Sequence, residues 1–283
     1  MMNLARLVPR SQSLFRPLAA VREFQGCSGS VHLPLVRART NPVIGQSQRL
    51  SLSTSASLSC DKHDMSQAET NYSPDRFTTA LQANKEWAAR TALEHPDLFP
   101  TLANGQSPEI LWIGCSDSRC PETVVLGLKP GDVFVHRNIA NILHAGDLSS
   151  GAVIEYAVRH LRVNHIVLSG HTKCGGIAAA LGNKQLGILD PWLLPLRQIR
   201  EQNLALLQTL SPEDATVKMA ELNVREGVKL LKSKAVVLEA MQERGLQVHG
   251  LIYDVACGML RDIDTKDSEE EIKRRLVAFK TEA

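Results

Sequence analysis

Apolar positions in this chain come in two patterns, unbroken short runs and longer stretches with a helical period. Ile110-Leu111-Trp112-Ile113-Gly114 is one unbroken run, and His165-Ile166-Val167-Leu168-Ser169-Gly170 is another. Runs of this length without polar alternation predict strands covered on both faces. Gly131–Asn138 reads as a turn entering a strand, and Val248–Val255 as a further strand. Gly258 then turns the chain towards a hairpin partner at Met259–Ile263. Between the strands the period lengthens. An amphipathic helix is predicted at Asp75–Leu93, with Phe77, Leu81, Trp87 and Ala88 near one face. Pro121–Val125 starts a short helix that stops near Gly127. Ser149 or Ser150 is the expected cap of a helix reaching Leu161, with Val153, Ala157 and Leu161 on its buried stripe. Gly175-Gly176 opens the helix that contains Ile177–Leu181, and Pro191–Leu207 and Pro212–Leu231 read as longer helices. Ser233 caps another, which Gly245 ends. Ser268 caps the last, Glu269–Lys280, with acids in its first turn. Pro96–Pro108 holds three prolines and a glycine and reads as a loop. Strands alternating with helices predict an α/β fold, a mostly parallel central sheet flanked by helices. Ligand sites on such sheets lie beyond the carboxyl ends of strands.

Charge changes the picture at one end only. Residues 1–60 carry seven arginines, no lysine and one acid, Glu23, and are rich in serine. That is the composition of an organelle transit peptide, which predicts a mitochondrial matrix destination, with a cytoplasmic one as the alternative. Residues 61–283 are then expected to form one catalytic domain with a helical arm at about 75–93. The formal charge of +2 averages a basic leader with a slightly acidic remainder. No nucleic-acid-reading motif accompanies the basic segment, so a nucleic-acid partner is not expected. No stretch of eighteen apolar residues offers a membrane span. Six cysteines in 283 residues do not form a disulfide framework, and they point to a reduced compartment and metal chemistry.

The candidate chemistry sits just past the two apolar runs. Cys115 follows the first and opens Cys115-Ser116-Asp117-Ser118-Arg119; His171-Thr172-Lys173-Cys174 follows the second. Two thiolates and one imidazole make a zinc set of the catalytic kind, which leaves a fourth position for water. Asp117 is a fourth ligand or an acceptor for a hydrogen bond from that water, and Arg119 is placed to pair with it bidentately. Competing motifs fail. The glycines around Gly170–Gly176 lack the Lys-Ser ending of a phosphate-binding loop. A phosphatase loop needs Arg where Pro121 stands, and no Cys-x-x-Cys pair is present. Cys120 and Cys257 are read as packing or surface thiols, and His136, His144, His160 and His165 have no partner at ligand spacing.

With these residues in hand, the chain closely resembles the β-class carbonic anhydrases, in their fungal-type mitochondrial form. The matching segments are Gly105–Pro108, Leu111–Arg119, Gly131–Asn141, Gly151–Val163 and Ile166–Ile177, with weaker similarity over Val248–Gly258. The resemblance implies one Zn2+ per subunit held by Cys115, His171 and Cys174, with Asp117 and Arg119 as the catalytic dyad. It makes Gln106 a substrate-binding amide, Phe134, Ile139 and Tyr156 the lining of an apolar CO2 pocket, and Gly175 a backbone amide near the site. Trp112, Arg137 and Tyr253 resemble the trio that forms a bicarbonate-responsive regulatory pocket in one subgroup. The implied reaction is reversible hydration of CO2 to bicarbonate and a proton, in a homodimer or homotetramer. Two other readings stay open here. One is a hydrolase of carbonyl sulfide or carbon disulfide on the same scaffold. The other is a non-catalytic zinc-binding interaction module, which has no need of Asp117, Arg119 or Gln106.

Overall fold

In the computed structural model, residues 75–279 are described, and the predicted leader at 1–60 lies outside them. The elements in chain order are α1 Arg76–Glu94, α2 Leu98–Ala103, β1 Ile110–Cys115, α3 Glu122–Val125, β2 Val133–Asn138, α4 Leu148–Glu155, β3 His165–His171, α5 Gly175–Leu181, α6 Leu189–Trp192, α7 Leu194–Gln202, α8 Leu204–Gln208, α9 Pro212–Lys232, α10 Ala235–Arg244, β4 Gln247–Asp254, β5 Met259–Asp262 and α11 Glu269–Phe279. The strands form one sheet in the order β2-β1-β3-β4-β5. The first four are parallel, and β5 returns antiparallel to β4. The predicted α/β architecture is therefore present.

One face of the sheet is set by Leu111 and Ile113 of β1, Ile166 and Leu168 of β3 and Ile252 of β4, all fully buried. The long helix α9 lies over β3 and β4 at glycine contacts. A Cβ on Gly227 would meet Leu168 Cδ2 at 2.3 Å, and one on Gly250 would meet Val224 Cγ1 at 2.8 Å. Absence of those carbons lets helix and sheet close to van der Waals contact. The register sets Cys115 opposite Asn138 at the carboxyl end of β1, and His171 opposite Tyr253 at the end of β3. Both metal-type segments thus leave the sheet at the same edge, as strand-end chemistry in such sheets requires.

Several local expectations are corrected. The segment expected as a loop at Pro96–Pro108 contains α2, because Pro100 falls in the first turn, where no backbone N–H is needed. Phe99 packs edge-on against Trp87 with ring centroids 5.7 Å apart. The cap of α4 is Asp147, whose carboxylate accepts from the Ser149 and Ser150 amides at 3.1 and 3.0 Å. That helix passes at Tyr156–His160 into a π-turn. Ala157 of the predicted stripe is buried, but Ile154 and Val158 carry more of the burial than Val153 and Leu161. The single helix expected at Pro191–Leu207 is three, α6, α7 and α8. Pro195 sits at the start of α7 and Asn203 Nδ2 donates back to the Ile199 carbonyl at 2.8 Å, closing its end. Ser233 does not cap α10; its hydroxyl donates to the Lys229 carbonyl and closes α9. Ser268 and Glu271 do form a reciprocal capping box at α11. Asp75 caps α1, yet Phe77 and Leu81 on its apolar face are 72% and 52% exposed, so no described residue covers that end of the stripe, while Trp87 meets Phe99.

Candidate metal centre

Cys115 ends β1, His171 ends β3, and Cys174 is the residue before α5. The turn between His171 and Cys174 needs Lys173 at φ 56°, a left-handed conformation that a side chain with a Cβ resists. It turns the imidazole and the second sulfur towards one point. The ligand atoms of Cys115, His171 and Cys174 all lie within 4.8 Å of one another, and all three residues are buried. Ala140 is also left-handed, at φ 61°, which aims its amide at Cys115 Sγ, 3.3 Å away. Asn223 of α9 holds that bend by donating Nδ2 to the Ala140 carbonyl at 2.9 Å.

The ring of His171 is oriented by its own strand end. Nδ1 lies 2.9 Å from the Thr172 carbonyl, so Nδ1 carries the proton and donates it. Nε2 is buried and has no hydrogen-bond partner among the described residues. An orphaned imidazole nitrogen facing two sulfurs is what a tetrahedral cation would satisfy. The sulfurs agree. The neighbouring Cys174 thiol draws the Cys115 thiol down from its ordinary value, against the cost of burial. Cys174 is pushed up by its Cys115 partner and by burial, and a divalent cation would displace any thiol proton here. Burial works against a charged His171 ring, while the sulfurs of Cys115 and Cys120 pull the other way and raise it on balance; a cation on Nε2 would displace the proton that this favours. Sulfur, nitrogen and sulfur in this setting fit zinc and not magnesium or calcium.

Asp117 and Arg119 stand beside this cluster. Arg119 Nε donates to Oδ1 at 2.9 Å and Nη2 to Oδ2 at 2.7 Å, a bidentate fork, while the Arg119 amide adds a third bond to Oδ1 at 2.9 Å. Nη2 also donates to the Lys173 carbonyl at 3.0 Å, tying the two site loops together. The Arg119 fork, against modest burial, keeps the Asp117 carboxyl well below the usual carboxylate range. Oδ2 lies 3.9 Å from His171 Nε2. The carboxylate therefore borders the metal position but is turned onto the guanidinium.

Other expected site residues divide by which end of the sheet they occupy. Ile139 and Gly175 adjoin the cluster: Ile139 follows β2 next to the Cys115-bonded Ala140, and Gly175 begins α5. A cavity of about 510 Å³ opens there, lined by Thr172, Lys173, Cys174, Gly175, Glu213 and Asp254 among others. Gln106 is elsewhere. It lines a separate cavity with Leu102, Ile110 and Gly131, before the first residue of β1, so this chain does not bring it to its own cluster. A six-residue strand spans about 20 Å, which separates the two ends. Phe134 pairs with Leu111 in register and packs on Tyr156 with ring centroids 5.7 Å apart, nearer the Gln106 end than the Cys115 end. Trp112 and Tyr253 share a cavity of about 10 Å³ with Cys115, Cys120 and His171, room for about one water molecule. Arg137 is outside its lining; Nε donates to the Cys115 carbonyl at 2.8 Å and Nη2 to the Asp117 carbonyl. Trp112 and Tyr253 thus share one cavity, and Arg137 is bonded to the Cys115 carbonyl beside it. Cys120, expected to pack, is half-buried against the same cavity. His165 finds a partner after all, His249 across the sheet at 3.2 Å, away from the cluster. Sequence reasoning did not single out Glu122, Ala140 or Asn223. Only Glu122 had a signal, an acid directly after the Cys115–Pro121 segment.

Comparison with known proteins points one way. The sequence profile of the carbonic anhydrase family matches residues 110–260. A carbonic anhydrase of Emericella nidulans is 42% identical over 199 residues, covering 70% of this chain and 87% of that protein. The crystal structure of the β-carbonic anhydrase CafA of Aspergillus fumigatus is 71% identical, with a TM-score of 0.73, and covers 74% of this chain and 100% of that one. One of two tetrameric β-carbonic anhydrases of Sordaria macrospora is 50% identical, with a TM-score of 0.67, over 68% of this chain and 98% of that one.

Proposed function

The chain belongs to the β-class carbonic anhydrase family, and from that membership we propose how its own residues hydrate CO2 reversibly to bicarbonate and a proton. The observation that carries the reading is the orphaned, buried Nε2 of His171 facing the two buried sulfurs of Cys115 and Cys174, all three ligand atoms within 4.8 Å of one another. Cys115, His171 and Cys174 hold zinc. Bound there, zinc supplies the Lewis acidity that brings the pKa of water from near 16 towards about 7.

The rest is the work of side chains and amides. Asp117, held by the Arg119 fork, accepts a hydrogen bond from the attacking water and aims its lone pair at the carbon of CO2. Arg119 also keeps Oδ2, 3.9 Å from His171 Nε2, from taking the fourth ligand position itself. Ile139 gives CO2 an apolar wall, and the Gly175 amide steadies the developing carboxylate oxygens. Stopped-flow CO2 hydration on the zinc-loaded chain tests the assignment. Activity above buffer that disappears with zinc removal is expected; none with zinc bound would overturn it.

The site is completed by a second copy. Among the described residues β2 pairs with β1 alone, so its outer edge is open. A two-fold axis at that edge runs the partner's strands antiparallel and carries its Gln106, Phe134 and Tyr156 end towards this protomer's cluster. The tetrameric Sordaria relative supports oligomer formation. The arginine-rich residues 1–60 support import into mitochondria as a transit peptide. A fluorescent fusion of residues 1–60 is expected to enter mitochondria, and a cytosolic fusion would refute that destination. No helix among the described residues is long and apolar enough to cross a membrane.

A further inference from the structure

Glu122 opens α3 and carries a buried carboxylate oxygen, Oε2, that no hydrogen-bond donor among the described residues reaches. Its side chain is 11% exposed. Oε1 does accept, from Thr123 Oγ1 at 3.2 Å. A half-satisfied buried carboxylate is costly and calls for a compensating charge. The cation facing it is Arg137, whose Nη1 stands 3.8 Å from Oε2. That distance is too long for a hydrogen bond, but at partial burial it is a substantial Coulomb attraction.

The other two nitrogens of Arg137 show what the attraction serves. Nε donates to the Cys115 carbonyl at 2.8 Å and Nη2 to the Asp117 carbonyl. One guanidinium therefore spans the end of β1, the loop of the dyad and the first turn of α3. Two carbonyls alone offer a cation only dipoles, whereas Glu122 offers it a full opposite charge. Glu122 also walls the cavity of about 10 Å³ shared by Trp112, Cys115, His171 and Tyr253. An oxyanion from solution would need a free pair of N–H donors on Arg137 and more space than one water takes. Nη1 is unbonded, but it faces Glu122 Oε2, and the space is not on offer while Glu122 walls the cavity.

We propose that Glu122 is the built-in anion of Arg137, a positioning residue whose carboxylate keeps the guanidinium clamped on the Cys115 and Asp117 carbonyls. The loop bearing one metal ligand and the dyad is thereby fixed without any anion taken from solution. The inference deepens the reading of Asp117 and Arg119 given above and rests on it.

The test uses the full-length zinc-loaded protein with Glu122→Ala and Glu122→Gln. Both are expected to keep zinc and to lose about tenfold to a hundredfold in kcat with little change in KM, since the dyad is displaced and the substrate site is not. Backbone amides of residues 115–120 are expected to exchange faster in both. Formate is the probe, because it fits the space that Glu122→Ala leaves. It should slow that exchange again and restore part of the activity in Glu122→Ala, and should do neither in the wild type. Should Glu122→Ala lose its fold, Glu122→Gln keeps the shape and removes the charge, and carries the test alone. Wild-type kcat and exchange in Glu122→Gln would overturn the proposal. So would a loss in Glu122→Ala that formate leaves untouched in both readouts. A wild type unable to hydrate CO2 would count against the enzymatic reading, while the exchange measurements would still judge Glu122.

Discussion

At the scale of single residues, Arg119 decides whether Asp117 helps or blocks. The carboxylate is close enough to the metal position to be a ligand, and the bidentate fork is what turns it away. Arg119→Ala should therefore cost more than a lost surface pair, whose usual worth is below about 1 kcal/mol. A fall in kcat of about 10²-fold with zinc content unchanged is expected, within the range of a misplaced catalytic group. Stopped flow with metal analysis on the same sample checks it, and near-wild-type turnover would remove Asp117 orientation from the account. The ligands make a second prediction. Nε2 of His171 is buried without a hydrogen-bond partner among the described residues, beside the two buried thiols of Cys115 and Cys174. Chelation should lower Tm, and zinc should restore it, because binding is confined to the folded chain. A melting curve indifferent to chelator after proven zinc loss would contradict that. The three ligands and the dyad were legible in sequence because their chemistry is a matter of residue type and spacing. Ala140 and Asn223 were not, because one contributes an amide through its φ angle and the other a contact from 83 positions away.

At the scale of elements, strands and long helices followed the apolar pattern, and errors gathered where a local backbone rule competed with it. Pro100 in a first turn and Asp147 two residues ahead of the first of two serines show how a breaker and a cap are misread when the frame shifts by a residue or two. The contact of α9 with the sheet is the element-level feature most open to test. Gly227→Val would force a branched side chain into Leu168 Cδ2, already 2.3 Å from where a Cβ would stand. Overpacking of this sort costs about 1–3 kcal/mol, and urea unfolding should show it. An unchanged midpoint would mean that α9 can shift off β3. The C-terminal segment has its own device. Lys232 of α9 and Arg275 of α11 both donate to Asp267, at 2.7 and 2.8 Å, and Lys232 is almost wholly buried. Arg275 first, and then Lys232, hold the Asp267 carboxyl below its ordinary value of 3.8 despite burial. The unfolded chain then binds that proton more readily than the folded one. The stabilisation is complete above the ordinary carboxylate value and is lost as pH falls below it through the depressed one. Asp267→Asn should flatten the acid limb of stability against pH. It should also cost about 3–5 kcal/mol at neutral pH by stranding Lys232. An acid limb as steep as the wild type's would assign the effect to other carboxylates.

At the scale of the whole molecule, the sheet sets the residues of the expected pocket at two opposite ends of this chain, and the shared site proposed above would reunite them. Gln106 and Cys115 flank β1 at opposite ends, and no repacking of a six-residue strand can bring them together. The exposed Phe77 and Leu81 of α1 and the open edge of β2 belong together, since no described residue of this chain covers either. The resemblance had implied an oligomer, but the division of the pocket was not visible in sequence, where residues of one pocket look alike whether they meet within a chain or between two. Complementation separates the cases. Cys174→Ser removes a metal ligand and Gln106→Ala removes the substrate amide, so each protein alone should be nearly inactive. Co-expressed in equal amounts, they form mixed dimers in which the metal of the Gln106→Ala subunit faces the intact Gln106 of the partner subunit. Half the dimers are then mixed, with one complete site in each, and about a quarter of wild-type activity should return. If Gln106 served its own chain, every site in the mixture would still lack either metal or amide. A co-expressed mixture no more active than its two components would therefore sink the shared site, whatever the mass of the particle proved to be.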